Sequence, residues 1–526
     1  MKVLVTEPLS ETGLEVFRET PGIEAHVNTG LSPEELKGII GEYHGLAIRS
    51  ATRVTAGVIE AAHNLKVIGR AGIDLDNVDI PAASRRGIVV MNTPEGNTIT
   101  AAEHAIALMM ALSRNIPQAT ASLKEGKWEK EKLAGRELFN KTLGLIGAGH
   151  IGRIVAERAK GMKMRVIVYD PFIKPDTLEK LDLEPVSFED LLRRSDYVTI
   201  HAPGTSETVN MINREGLARM KRGAMVINCA RGGIVNEEDL YESLKAGHLG
   251  GAALDVFTTE PPGRHKLMDL PHFICTPHLG ASTKEALDNV AREVAVQIVA
   301  YLLHGTVKNA VNVPGISTEL VNILRPYAVL AEKMGALQTQ LTESAVEEVH
   351  IQYSGKITQY DMAPLSTAFL KGLLTPILRD DVNFVNARYI AADRGVKIVE
   401  SKTSTSEDFA SLLVSSVRTV EGENIVSGTI FGKTMPRILR INNFYLEAIP
   451  EGHVLLIHNL DVPGVIGGIT SRLGERGVNI SHMQVGQEKE KKQNVIFLTT
   501  NIPVSDEVLD VIRGQKDVFS ARRITL

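Results

Sequence analysis

The sequence predicts an α/β protein: two parallel-sheet domains, one of them wound around a glycine-rich turn, followed by an α+β segment and a ferredoxin-like βαββαβ unit. Three observations predict it. Apolar strand-like runs alternate with helical spacings through the first 300 residues or so, as in parallel sheets covered on both faces. Residues 141–171 read as strand, glycine turn, helix and second strand ending in an acid. Residues 452–526 read as strand, helix, strand, strand, helix, strand.

At 526 residues the chain is too long for one core, and three or four domains are expected. A net charge of −5 gives no bulk basicity for nucleic acid, and no apolar run is long enough for a membrane span. The start, Met1-Lys-Val-Leu-Val-Thr-Glu-Pro8, reads as a first buried strand and not a signal peptide, so the cytoplasm is the default. Cys229 and Cys275 both lie in segments that read as interior strands, which argues against a disulfide framework.

In chain order, residues 2–6, 45–50, 66–70 and 88–92 are expected strands, with helices over 10–20, 32–40, 56–63 and 80–86. Ligands of such sheets collect at the carboxyl ends of strands. Arg49 and Arg70 lie at such ends, and Ala71-Gly72 after the second exposes backbone N–H groups to an anion. A single arginine there is usually a solvated surface group, but two in one small domain make an anion site worth testing. The helix expected over 97–115 carries Ala102, Ala105, Ile106, Leu108, Met109 and Leu112 on one apolar face, and leads into the second domain. Trp128 is read as a packing aromatic.

The core of the second domain is Gly144-Leu-Ile-Gly147-Ala-Gly149-His150-Ile151-Gly152. A pyrophosphate must sit against backbone N–H groups at a helix N-terminus, where a Cβ would hold it away. Gly147 suits the tight turn, Gly149 the close approach, and Gly152 the packing of helix on strand. The second strand ends at Asp170, 18 residues beyond Gly152, where a carboxylate meets adenosine ribose hydroxyls and repels a 2′-phosphate. The pattern is Rossmann-type and points to NAD over NADP. Strands expected over 197–203, 224–230, 251–257 and 274–278 carry candidate chemistry at their ends: Arg231 beside two glycines, Glu260 in a turn, and His278.

Hydride removal from a secondary alcohol needs a group to take the hydroxyl proton, and histidine has the suitable pKa. A carboxylate on its other ring nitrogen fixes the tautomer, and an arginine can clamp an α-carboxylate and stabilise charge developing at C2. Taken singly, Arg231, Glu260 and His278 could be a helix-end cation, a turn acid and a core histidine. All three, however, follow strands of the same nucleotide domain. The helix expected over 285–303 should return to the first domain, making that flavodoxin-like domain discontinuous (1–98 and 283–315) around the domain at 99–282. The turn-rich Val311-Asn-Val-Pro-Gly315 marks the boundary.

Together with Asn228-Cys-Ala-Arg231-Gly-Gly-Ile-Val, Ala253-Leu-Asp255-Val-Phe and Thr276-Pro-His278-Leu-Gly-Ala-Ser, these features resemble the D-isomer-specific 2-hydroxyacid dehydrogenase family. The resemblance assigns catalysis to Arg231, Glu260 and His278. It places Gly147, Gly149, His150, Ile151 and Gly152 along the pyrophosphate, with His150 where many members have arginine. It puts Asp170 on the ribose, and Ala202, Cys229 and Asp255 on the nicotinamide side. Ile48-Arg49-Ser-Ala-Thr and Gly69-Arg70-Ala-Gly are similar to the members that oxidise 3-phospho-D-glycerate to 3-phosphohydroxypyruvate at the head of serine biosynthesis. That likeness places Arg49, Ser50, Arg70 and Gly72 near the phosphate or carboxylate, and Asn97 on the cleft wall. The alternatives are a glyoxylate or hydroxypyruvate reductase carrying the same C-terminal domains, and a nucleotide-sensing corepressor on a dehydrogenase scaffold.

Residues 316–448 read as a separate mixed domain, with strands over 346–353, 425–431 and 438–446 and a helix over 367–378. Strand 346–353 alternates as an antiparallel strand with one wet face. Lys433, Arg437 and Arg440 form a loose basic cluster. Resemblance to the intervening domain of the longest members makes Arg437 an anion-effector contact. The terminal unit, with Leu460-Asp461-Val-Pro-Gly464 and Gly477-Val-Asn479-Ile, resembles the ACT domain. The resemblance implies L-serine at Asn459, Asp461 and Asn479, at an interface between two copies, and a homotetramer. The alternative for that domain is a purely structural dimerisation unit.

Overall fold

The structure is a computed structural model that describes residues 1–314, 320–342, 344–405, 408–488 and 490–526. Gly315 and residues 316–319, on which the expected boundary falls, lie outside the described residues, as do 343, 406–407 and 489.

The first sheet is all-parallel, with β1 (Lys2–Val5), β2 (Glu24–Val27), β3 (Gly45–Ile48), β4 (Val67–Arg70) and β5 (Val89–Met91) in the order β2-β1-β3-β4-β5. This is the flavodoxin-like order. β3 and β4 are buried along their whole length, so they carry unbroken apolar runs in place of alternation. The helix Lys284–His304 returns to this sheet, packing Val290, Val294, Ala295 and Ile298 against Val3, Val5, Phe17 and Val67. Gly13 permits the close crossing with helix Glu11–Glu19, since a Cβ there would lie 2.7 Å from the Ala291 carbonyl oxygen. Residues 310–312 then tie the chain to the same domain: Val311 N–H donates to Val90 O, and Asn312 Oδ1 accepts from Val90 N–H at 2.9 Å.

The second sheet is also parallel, with β6 (Thr142–Ile146), β7 (Arg165–Tyr169), β8 (Glu184–Pro185), β9 (Tyr197–Ile200), β10 (Met225–Asn228), β11 (Gly251–Leu254) and β12 (Phe273–Cys275). Its order, β12-β11-β10-β9-β6-β7-β8, reverses between β6 and β9. A crevice opens at that switch point. The long helix Thr98–Ser113 packs Ala102, Ala105, Leu108, Met109 and Leu112 into this domain's core.

Two expectations fail in this half. Cys275 ends β12, an edge strand, and is exposed; Cys229 and Cys275 are both free thiols. Trp128 is 81% exposed, in a segment that also exposes Leu123 and Phe139, so it is no packing aromatic within one chain.

The third sheet runs β14-β13-β15-β16-β17-β18-β20-β21-β19-β22. Its strands are β13 (Val346–Gly355), β14 (Lys397–Thr403), β15 (Ser411–Thr419), β16 (Gly422–Phe431), β17 (Met435–Ile441), β18 (Phe444–Ala448), β19 (His453–Leu460), β20 (Ile480–Glu488), β21 (Gln493–Thr500) and β22 (Val518–Thr525). β13 alternates in burial over most of its length and pairs antiparallel with β15, as expected, while its other side pairs parallel with β14, so it is interior to the sheet. Helices Val321–Leu341 and Ala363–Leu378 cover this sheet, packing Leu330, Met334, Phe369 and Leu373 into one core with Val349, Ile351 and Tyr353. The strands on either side of residue 450 join through β18 and β20 at Tyr445 and Gln487, and Val454, Phe497 and Ile524 share that core. No helix among the described residues is long and apolar enough to cross a membrane.

Candidate active site

The carboxyl ends of the first two sheets face each other across a cleft of about 620 Å³, lined by Arg49, Ser50, Arg70, Gly72, Asn97, Ile151, Ala202, Cys229, Arg231, Asp255, Glu260 and His278. Twelve candidates scattered over 230 residues of sequence thus meet in one place.

Strand β12 ends just before Thr276-Pro277-His278, and β11 just before Asp255. Nδ1 of His278 and Oε2 of Glu260 are 2.7 Å apart, while Glu260 Oε1 accepts from Phe257 N–H at 3.0 Å. The carboxylate is therefore anchored by backbone at one oxygen and addresses the imidazole with the other, leaving Nε2 for a ligand. The Glu260 loop is itself tied down by Glu237, whose Oε1 accepts from Thr258 N–H at 2.6 Å and from its hydroxyl at 2.7 Å. Arg231 follows β10; its Nη1 donates to Ala230 O at 2.6 Å and its Nη2 to Asp74 Oδ1.

Asp255 is buried, which disfavours its charge, but four donors outweigh burial: His104 Nε2 at 3.2 Å, Thr276 Oγ1 at 2.5 Å, and the N–H groups of Leu279 and Gly280 at 2.7 and 2.8 Å. Together they hold the carboxyl at about 2. Cys229, beside it, is pushed up by burial and then by the Asp255 charge, so it stays a neutral thiol. Asp255 thereby fixes the turn that carries His278.

On the opposite wall, Glu7, two residues beyond β1, accepts from the N–H groups of Arg49, Ala51 and Thr52 at 2.8, 3.1 and 2.9 Å. Burial works against that carboxylate, yet these bonds win and lower its pKa. Arg49 and Ser50 thus sit on a loop shaped by a buried acid. Thr93 Oγ1 accepts from Gly72 N–H at 2.8 Å. Arg70 is 8% exposed, and its Nε and the Oδ1 of Asn97 are buried with no protein partner. Buried polar atoms of this kind are usually paired, so both fit a ligand entering the cleft.

Sequence reading missed Glu7, Asp74 and His104. Glu7 follows the carboxyl end of the first strand, a position the strand-end rule could have flagged, and His104 is one imidazole in an apolar helix. Asp74 carries no local signal.

The glycine turn fits a dinucleotide. Gly147 has φ +91°, and a Cβ there would lie 2.6 Å from the His201 carbonyl oxygen. At Gly152 a Cβ would lie 2.1 Å from Gly147 O, while nothing stands within 4 Å of one at Gly149, the N-cap of helix His150–Gly161. Asp170 Oδ2 accepts from Ala148 N–H and Oδ1 from Phe172 N–H, each at 2.9 Å, which presents the carboxylate at the end of β7. His150 is exposed on the first turn of helix His150–Gly161.

The effector candidates do not converge in one chain. Asn459 is 0% exposed, donates from Nδ2 to Leu460 O at 2.6 Å, and leaves Oδ1 without a partner. Asp461 accepts from Asn494 Nδ2 at 2.9 Å. Asn479 is exposed at the other end of the sheet, its N–H donating to Asn501 Oδ1. Arg437 is partly committed, with Nη1 on Pro436 O at 2.9 Å and Nε 3.6 Å from Glu447.

Residues 106–280 match the family described as D-isomer specific 2-hydroxyacid dehydrogenase, NAD binding domain. Residues 323–442 match the D-3-phosphoglycerate dehydrogenase intervening domain and 453–516 the ACT domain. An NAD-dependent formate dehydrogenase from Staphylococcus aureus, solved with NAD, aligns with a TM-score of 0.51 and 32% identity over 59% of this chain and 98% of its own. Fold and site thus define an NAD-dependent oxidoreductase of the D-2-hydroxyacid dehydrogenase class. D-3-phosphoglycerate dehydrogenases from Synechocystis sp. and Archaeoglobus fulgidus are each 42% identical to it, the first over 99% of this chain and 94% of its own, the second over the full length of both. The chain belongs to the D-3-phosphoglycerate dehydrogenase family.

Proposed function

We propose that the protein oxidises 3-phospho-D-glycerate to 3-phosphohydroxypyruvate with NAD, the first step of L-serine biosynthesis. One observation carries the reading: Arg231 and the Glu260–His278 pair share a single cleft with Arg49 and Arg70. Gly147, Gly149 and Gly152 with Asp170 would hold NAD, which would supply the acceptor for a hydride from the substrate's C2. His278 Nε2 takes the hydroxyl proton as the C–H bond breaks, and Glu260 holds the ring in the tautomer that leaves Nε2 free to do so. Arg231 clamps the C1 carboxylate and stabilises charge on the C2 oxygen, and Arg49 and Arg70 hold the phosphate. Closure of the two parallel-sheet domains over the substrate excludes water.

By the same family reading, L-serine binds the C-terminal units at Asn459 and Asp461 of one copy with Asn479 of another, in a cytoplasmic homotetramer. Arg437 is kept as the candidate anion contact of the intervening domain. Initial rates of NADH formation test the function. We expect 3-phosphoglycerate to be preferred strongly over D-glycerate and D-lactate, and serine to lower its rate. Indifference to the phosphate would favour a hydroxypyruvate or glyoxylate reductase. No NADH from any 2-hydroxy acid would leave only a nucleotide-sensing role.

A further inference from the structure

Arg231, proposed above to hold the substrate's carboxylate, already holds one. Its Nη2 pairs with Asp74 Oδ1, and its Nη1 is committed to Ala230 O at 2.6 Å. Asp74 belongs to the loop after β4 of the first sheet, and Arg231 to the loop after β10 of the second, so the pair crosses the cleft. The two side chains are 42% and 34% exposed. An ion pair that open to water is weak, and exchanging its anion leaves no charge stranded in a core.

The incoming group is chemically the same as the one in place. Both are carboxylates, and with Nη1 bonded to Ala230 O, Asp74 holds Nη2, a nitrogen that both carboxylate-binding edges of the guanidinium share. We propose that Asp74 is an internal competitor for the substrate: it occupies Arg231 in the empty cleft and yields it to the α-carboxylate of the 2-hydroxy acid. The released carboxylate stays among cations, because Arg70 lines the same space. Asp74 touches Arg231 and not the reacting atoms, so it acts as a positioning residue. This inference rests on the dehydrogenase reading of the cleft.

The test compares the full-length enzyme with Asp74→Asn and, as a charge control, Asp76→Asn, since Asp76 lines the same cleft. Loss of the competitor should lower KM by about two- to fivefold, with no matching rise in kcat. The factor should be equal for 3-phosphoglycerate and D-glycerate, because both present the same carboxylate to Arg231. A general charge effect would instead favour the more highly charged phosphorylated substrate and would appear in Asp76→Asn as well. A KM that is unchanged, that rises, or that falls only for the phosphorylated substrate overturns the proposal. Calorimetric titration of oxalate into the enzyme–NADH complex reads the same exchange without turnover, and tighter binding to Asp74→Asn is expected there. If no 2-hydroxy acid is oxidised, the dehydrogenase reading fails while this titration still decides the role of Asp74. Oxalate binding that is equal or absent in both proteins overturns the proposal too.

Discussion

His278 occupies the left-handed region at φ +55°, uncommon for a residue with a side chain, and its N–H is held by the Asp255 and Thr276 carbonyls. The imidazole is thus aimed by backbone on one side and by Glu260 on the other. We expect His278→Ala to lower turnover by about 10²–10⁴ while NAD affinity, measured by fluorescence titration, stays nearly intact. Unaltered turnover would remove the proton-transfer role. A second histidine, His201, reports on pH. Burial drops its pKa from 6.5 to about 4, and Thr199 Oγ1 lies 2.9 Å from its Nε2. The unfolded chain therefore takes up this proton first, so the contribution of His201 to stability is fully present above pH 6.5 and is lost as pH falls toward 4. Burial gives His44 the same sign. His201→Gln should flatten the melting temperature over that window, while the steeper loss at lower pH, where Glu7 and Asp255 gain protons, remains. An identical profile in the variant would show that other groups govern it. Arg231, Glu260 and His278 were legible because each follows an apolar strand in a recognisable motif. Asp74 and His104 were not, since their partners lie 157 and 151 residues away and neither sits in a motif.

Among elements, the strands that escaped sequence reading fail it for a common reason. β2 (Glu-Ala-His-Val) and β14 (Lys-Ile-Val-Glu-Ser-Lys-Thr) are outermost in their sheets and half wet, so neither apolar runs nor clean alternation marks them. β15 does alternate in burial, but it fills inward positions with Ser411 and Ser415 as well as Leu413 and Val417. The βαββαβ unit was legible throughout because its two helices and three of its four strands bury conventional apolar faces. The seam between β18 and β20 could not be read from sequence, since it depends on two strands from different units meeting edge to edge. Gly486 makes it possible: a Cβ there would lie 2.9 Å from Tyr445 O and 3.2 Å from Phe444 Cβ. Gly486→Val should therefore part the sheet and destabilise the C-terminal half by about 1–3 kcal/mol, as overpacking does elsewhere. Urea unfolding should then show an early transition below residue 526 and above residue 320 while basal NADH production, which uses the first two sheets, persists. A single unshifted transition would mean the seam carries no stability.

At the scale of the whole molecule, the proposed serine site lies at one end of the chain and the cleft is built from the other. Asn459 pairs with Asn494 in the sheet register, and Ile480, next to Asn479, pairs with Thr500. Asn494 and Thr500 are six residues apart on β21, roughly 20 Å at the usual strand rise of about 3.3 Å. No single chain can therefore close Asn459, Asp461 and Asn479 around a molecule as small as an amino acid. If the three do form one site, a second copy must supply Asn479 to the first copy's Asp461, and serine sensitivity becomes a property of the assembly. Diluting the enzyme until it dissociates should then abolish inhibition by L-serine before it abolishes NADH formation. Asp461→Ala and Asn479→Ala should each lose the response alone, and a mixture of the two should regain part of it, because one interface in a mixed pair keeps both native residues. Serine inhibition that survives dissociation would place the effector within one chain and discard this arrangement.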